Sequence, residues 1–199
     1  MAASQIEICN MALASLGITT FIAQMDERSK EATVCRLFWE TARDATLEAA
    51  DWNFARRRVK LALTLSSVTN WQHAYAYPSD CIKARRLVIP GDRRPRATER
   101  IPFEIAVDGD KRLILTDLVD AELIYTQRVT DPTLFPSSFV TALSAALAAR
   151  VAMPLAVSST IAEAAMQAAA RSLNDAVAQD EREGQEDEPK ESELIAARY

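Results

Sequence analysis

The sequence predicts an α+β protein: an antiparallel four-helix bundle built from both chain ends, with a small antiparallel β-sheet inserted between the helix pairs and an extended C-terminal tail. Three observations carry this expectation. Two Ala-rich segments between Pro136 and Glu183 repeat apolar residues every four positions, the spacing of one stripe on an α-helix. Two more segments with helical spacing occupy the first 50 residues. Between these ends the pattern changes to a period of two, the signature of strands.

Taken in order, Ser4-Gln5-Ile6-Glu7 reads as a capping box that starts the first helix. Ile6, Cys9, Leu13 and Leu16 form its stripe, and Gly17 ends it. Asp26 is placed to cap the second helix, with Glu27 near its positive end. Its inward stripe is Ala32, Cys35, Trp39, Ala42, Thr46 and Ala49. Val59, Leu61 and Leu63 then alternate with Lys60, Ala62 and Thr64. Residues 82–89 end at the turn pair Pro90-Gly91. Residues 103–107 and 111–116 flank Asp108-Gly109, a hairpin signal because glycine accepts positive φ. Residues 121–129 supply a further strand. The first C-terminal helix shows Phe139, Leu143, Leu147 and Val151 on one stripe and stops at Pro154, which lacks an N–H and crowds the preceding turn. Thr160-Ile161-Ala162-Glu163 reads as the capping box of the second, whose stripe is Ile161, Ala165, Ala169, Leu173 and Val177. The chain divides into N-terminal helices (1–55), an inserted sheet region (56–131), a C-terminal helical hairpin (132–183) and a tail (184–199).

The 199 residues are 49% hydrophobic and 26% charged, which suits one globular domain with an insertion. No uncharged apolar run approaches the roughly 18 residues that a membrane span needs. The N-terminal residues have neither a basic region nor an apolar core, so they are not read as a signal peptide. Cys9, Cys35 and Cys81 are three in number and widely spaced, which fits reduced, buried thiols better than a disulfide framework. The net charge is −5, but Asp180–Glu193 alone holds eight acids and two bases, leaving +1 for the remainder. A near-neutral body does not match a dedicated nucleic-acid binder.

Chemistry-bearing patterns are sparse. The one histidine, His73, has no recognisable nucleophile or orienting carboxylate in sequence. The four glycines form no phosphate-cradling motif, and the cysteines lack metal-ligand spacing, so no cofactor and no metal are expected. Arg56-Arg57-Arg58 and Arg85-Arg86 could meet phosphates. The plainer reading is solubility and ion pairing, since strand periodicity puts Arg56 and Arg58 on one face and Arg57 on the other. Arg93, Arg94 and Arg96 fall in a loop expected to project into solvent. Trp52 and Phe54 are read as core at the helix-to-sheet junction. The acidic tail ends in Leu194-Ile195-Ala196-Ala197-Arg198-Tyr199, an apolar and aromatic tip that looks like a docking peptide.

Several of these pieces occur together in one family. Asp51-Trp52-Asn53-Phe54-Ala55-Arg56-Arg57-Arg58, leading into Leu61-Ala62-Leu63, resembles the helix-to-strand junction of phage tail tubular protein A and related head-to-tail adaptors (connectors, or gatekeepers). So do residues 75–83, then Leu123-Ile124-Tyr125, Val129-Thr130-Asp131-Pro132 and residues 135–139. Ala142-Leu143 and residues 147–150 resemble its first C-terminal helix, and Ser192 to Arg198 its tail end. The resemblance implies a virion structural protein without catalytic residues, located in the neck of the particle and in the host cytoplasm during assembly. It implies a ring, usually of twelve subunits, beneath the portal protein, with C-terminal arms reaching the portal and a tail nozzle or stopper on the other side. DNA would pass through the channel without sequence-specific binding, and no membrane would be involved. Residues Leu194 to Tyr199 would then dock on the portal. Arg56, Arg57, Arg58, Arg93, Arg94 and Arg96 would serve subunit or nozzle contacts. Two other classes fit less well. A carbohydrate-cleaving tail enzyme needs two carboxylates roughly 5–10 Å apart in a cleft. A host-side DNA-binding regulator needs a more basic body.

Overall fold

The computed structural model describes residues 3–65, 70–92 and 100–184. Helix α1 spans Gln5–Ser15 and begins as its sequence predicts. The Glu7 N–H donates to Ser4 Oγ at 3.2 Å, and the Ser4 N–H donates to Glu7 Oε2 at 2.8 Å. Gly17, at φ +77°, ends it. The N–H groups of Gly17 and Ile18 donate to the carbonyls of Ala14 and Leu13, which satisfies the last turn in a left-handed cap. Helix α2 spans Lys30–Ala49. Its cap is Ser29, whose Oγ accepts the Ala32 N–H at 3.1 Å, rather than Asp26. The neighbouring Glu27 carboxylate folds back instead, accepting from Ser29 Oγ and from the N–H groups of Ala23 and Gln24. These bonds hold its pKa below the usual carboxylate value.

Helix α3 spans Ser137–Val151 and α4 spans Ser159–Gly184. Here the expected four-helix bundle gives way. In such a bundle each helix offers one stripe to a shared core. In α3, Phe139, Val140, Ala142, Leu143, Ser144, Leu147, Ala148 and Val151 are all buried. At about 100° per residue these positions cover roughly two-thirds of the helix circumference. α3 is therefore a central helix, and α1, α2 and α4 each pack against it, while no other pair of helices makes a comparable interface. The predicted stripe of α4 is also rotated. Ala162 and Ala176 are its most buried apolar residues, Leu173 is partly buried, and Ile161 is exposed. The cap is Ser158, whose Oγ accepts the Ile161 N–H at 3.4 Å.

The middle of the chain forms two antiparallel sheets, where the sequence reading expected one. The first has the order β1 (Arg56–Lys60), β7 (Glu122–Gln127), β4 (Cys81–Val88). The second has the order β2 (Leu63–Thr64), β3 (His73–Ala76), β6 (Lys111–Thr116), β5 (Glu104–Asp108). The chain crosses between them at Leu61 and Ala62. The Leu61 N–H donates to Ala121 beside the first sheet, and the Ala62 carbonyl accepts from Ala76 in the second. A core shared by both sheets contains Leu61, Leu87, Leu123 and Tyr125 with Tyr75 and Ile114. Leu113 and Leu115 face the opposite side of β6 and pack near Trp71, so β6 is buried on both faces. The β5–β6 hairpin turns at Gly109-Asp110, with Asp108 paired to Lys111 and Gly109 at φ +63°.

Trp52 joins the two regions. It is fully buried, its Nε1–H donates to the Thr46 carbonyl at 2.9 Å, and its ring meets Phe139 edge-on at 5.1 Å. Phe54 and Phe135 complete this aromatic cluster around Phe139. Such a cluster contributes about 0.5–1.5 kcal/mol per ring pair beyond area burial.

Candidate functional site

Arg56, Arg57 and Arg58 lie on β1, an edge strand, and the structure gives each an acidic partner. Arg56 Nε donates to Asp51 Oδ1 at 3.1 Å, Arg57 Nη1 meets Asp80 at 3.5 Å, and Arg58 Nε meets Glu122 at 2.5 Å. Arg58 also donates to the Asp92 carbonyl. Exposed pairs of this kind contribute at most about 1 kcal/mol each. The three guanidinium groups are thus taken by three different acids. Arg93, Arg94 and Arg96 lie outside the described residues, as do Leu194, Ile195, Ala196, Ala197, Arg198 and Tyr199.

Arg85 does something that the doublet Arg85-Arg86 does not reveal in sequence. It reaches from β4 to the end of α2. Its Nη2 donates to the Glu48 carbonyl at 3.0 Å, to Leu47 at 3.4 Å and to Ala50, while Nε donates to Thr126 Oγ1 at 2.8 Å. These are the orphan carbonyls of the helix C-terminus, where a cation also complements the helix dipole. No basic residue lies in the last turn of α2 itself. The signal therefore sits 35 to 38 residues away on another element. Beside this cap is a cleft of about 610 Å³ lined by Asp51, Arg85, Arg86, Arg100 and the apolar Ile101, Pro102 and Phe103.

A second depression, of about 670 Å³, lies between α1, α3 and α4. Met11, Leu16, Ala145, Ile161, Ala164 and Ala168 line it. Its walls are apolar because α4 packs on α3 through small residues and leaves Ile161, Ala164 and Ala168 uncovered. Among the described residues, the groove has no carboxylate in its lining and the basic cleft has only Asp51.

His73 pairs with Thr116 across the second sheet and lies 6.2 Å from the Tyr75 ring. Cys9 and Cys35 face each other between α1 and α2, both fully buried. Their shared hydrogen bond pushes the Cys9 thiol up and the Cys35 thiol down. Cys81 is also buried, and desolvation raises its pKa. Among the described residues no group of three or more His, Cys, Asp or Glu is arranged to hold a metal ion, and no helix is long and apolar enough to cross a membrane.

No known protein family model matches the sequence, and no curated protein matches it.

Proposed function

We propose that this chain is a phage virion structural protein, a head-to-tail adaptor that assembles as a ring beneath the portal and gives the tail nozzle its platform. The observation that carries the reading is the ordered series of motifs from Asp51 to Arg198 that resembles tail tubular protein A. Two features support it. The apolar groove between α1, α3 and α4 offers a face on which the helices of a neighbouring copy can pack. The apolar tip Leu194–Tyr199 follows an acidic stretch and suits docking on another protein. One arm, losing conformational entropy as it docks, binds weakly; several arms on one ring bind together by avidity.

On this reading the protein works by assembly rather than by catalysis, and its DNA contacts carry no base readout. The test is native mass measurement of the purified protein alone and with portal protein, followed by imaging of the particle neck. A closed ring that joins the portal is the expected result. A protein that stays monomeric and ignores portal rings would sink the reading.

A further inference from the structure

The basic cleft lies where the end of α2 meets β4, and its lining combines three arginines with the apolar Ile101, Pro102 and Phe103. Arg85 is committed to the carbonyls of α2. Asp51, the acid in the lining, is paired with Arg56 at 3.1 Å. Arg86 is half-buried and Arg100 exposed, and the guanidinium of neither makes an ion pair or hydrogen bond with another described residue. Two uncommitted guanidinium groups beside a third, over an apolar surface, are suited to carboxylates, which they can grip through two parallel N–H bonds.

One carboxylate-rich segment lies within reach. Residues 186–193 hold five acids and one base, a net charge of −4. They follow α4, which is anchored near Asp51 one turn before its end. The Asp180 carboxylate accepts the Asn53 N–H at 2.9 Å, and Asn53 is two residues from Asp51. From Asp180 to Gly184 the helix rises only about 6 Å. Nine residues, 185–193, span up to roughly 30 Å when extended. The acidic segment is therefore long enough to turn back from the end of α4 toward Asp51.

We propose that the cleft of Arg85, Arg86 and Arg100 is a binding site for carboxylate-rich peptide, and that its occupant is residues 185–193 of the same chain. Arg86 and Arg100 take the carboxylates, and Phe103 and Pro102 pack against the chain between them. The acidic linker is thereby held against the helix–sheet junction. This assignment does not rest on the adaptor reading, because it concerns the isolated protein.

The experiment uses the full chain and a glutamate-specific protease, with cleavage after Glu186, Glu191 and Glu193 followed by mass spectrometry. At low salt the wild type is expected to be cut about tenfold more slowly than the double variant Arg86→Glu, Arg100→Glu, a ratio of about one decade in the opening equilibrium. The protection is expected to weaken at about 0.5 M salt, where screening shortens the reach of each charge. It is expected to be kept only in part in Arg86→Lys, Arg100→Lys, which retains the charge without the planar fork, and to stay constant on dilution. Thermal unfolding checks that the variants fold; if the double reversal does not, Arg100→Glu alone at its exposed position makes the same comparison. Equal cleavage rates in wild type and folded reversal variant overturn the site. Protection that vanishes on dilution overturns the assignment to the same chain and gives the cleft to another copy's tail.

Discussion

Asp180 holds Asn53 by two bonds: its carboxylate accepts the Asn53 backbone N–H at 2.9 Å, and its carbonyl oxygen accepts from the Asn53 side-chain amide at 2.6 Å. The two residues are 127 apart in sequence. Asn53 stands between α2 and β1, and Asp180 is one turn from the end of α4. The pair fastens the last helix to the junction where helices give way to sheet. Burial pushes the Asp180 carboxyl above its ordinary pKa, with the Asn53 N–H opposing that rise.

Replacing Asp180 by Ala leaves the Asn53 N–H without its acceptor, and the expected loss is about 1–3 kcal/mol in urea unfolding. Asp180→Asn keeps an oxygen acceptor and removes the charge. Because the folded carboxyl titrates above the unfolded one, the stability it contributes is complete below the unfolded pKa, about 4, and is lost as pH rises through the folded value. The Asn variant should therefore gain on the wild type as pH rises from about 4. A variant that loses ground over that rise would mean that the hydrogen bond outweighs desolvation.

Leu147 and Leu173 separate the central helix from its peripheral partner. Leu147 is fully buried in α3, whereas Leu173 on α4 is only partly so. Leu147→Ala is expected to cost about 2–5 kcal/mol. Leu173→Ala should cost less, about 1–2 kcal/mol. Equal losses in denaturant unfolding would contradict the peripheral placement of α4.

Arg85→Met strips the donors from the last carbonyls of α2 and from Thr126. A loss of about 1–3 kcal/mol is expected. Hydrogen exchange should quicken at the end of α2 and remain unchanged in α1. Arg85→Lys should recover only part of the loss, since one ammonium cannot reproduce the planar fork. Full recovery would reduce the role of Arg85 to charge alone.

Ala168 is exposed in the apolar groove. Ala168→Glu should change the stability of the single chain by no more than about 0.5 kcal/mol. If neighbouring copies pack there, the same change should abolish ring formation in sedimentation experiments. Rings of normal size in the variant would move the subunit interface elsewhere.

Deleting Glu191–Tyr199 should leave the body folded, because every residue of the described cores lies before it. On the proposed function, the truncated protein should fail to attach to portal-bearing heads. Normal occupancy on such heads would refute tip docking.

The local devices were legible in sequence because each is completed within a few residues. The Ser4–Glu7 box, the left-handed stop at Gly17 and the glycine in the β5–β6 turn all satisfy their own backbone groups nearby. Trp52 was legible as core from its place between a helix pattern and a strand pattern. Where two local solutions competed, sequence misled: Asp26 and Ser29 both suit a helix N-cap, and the structure uses Ser29 while Glu27 serves the preceding turn. The basic cleft was half visible. The doublet Arg85-Arg86 stood out, but nothing near it announced that Arg85 serves α2 or that Arg100 lies alongside.

By itself the sequence determined the α+β composition, the approximate place of each helix and the acidic end of the chain, since propensity and charge act over short separations. Only the tertiary structure decided that α3 is the central helix, that the strands divide into two sheets at Leu61 and Ala62, and that Asn53 meets Asp180. The physical reason is that apolar stripes and strand edges accept many partners of the same chemistry. The choice among them is made by packing and hydrogen bonding between distant segments, where burial in three dimensions has no periodic trace along the chain.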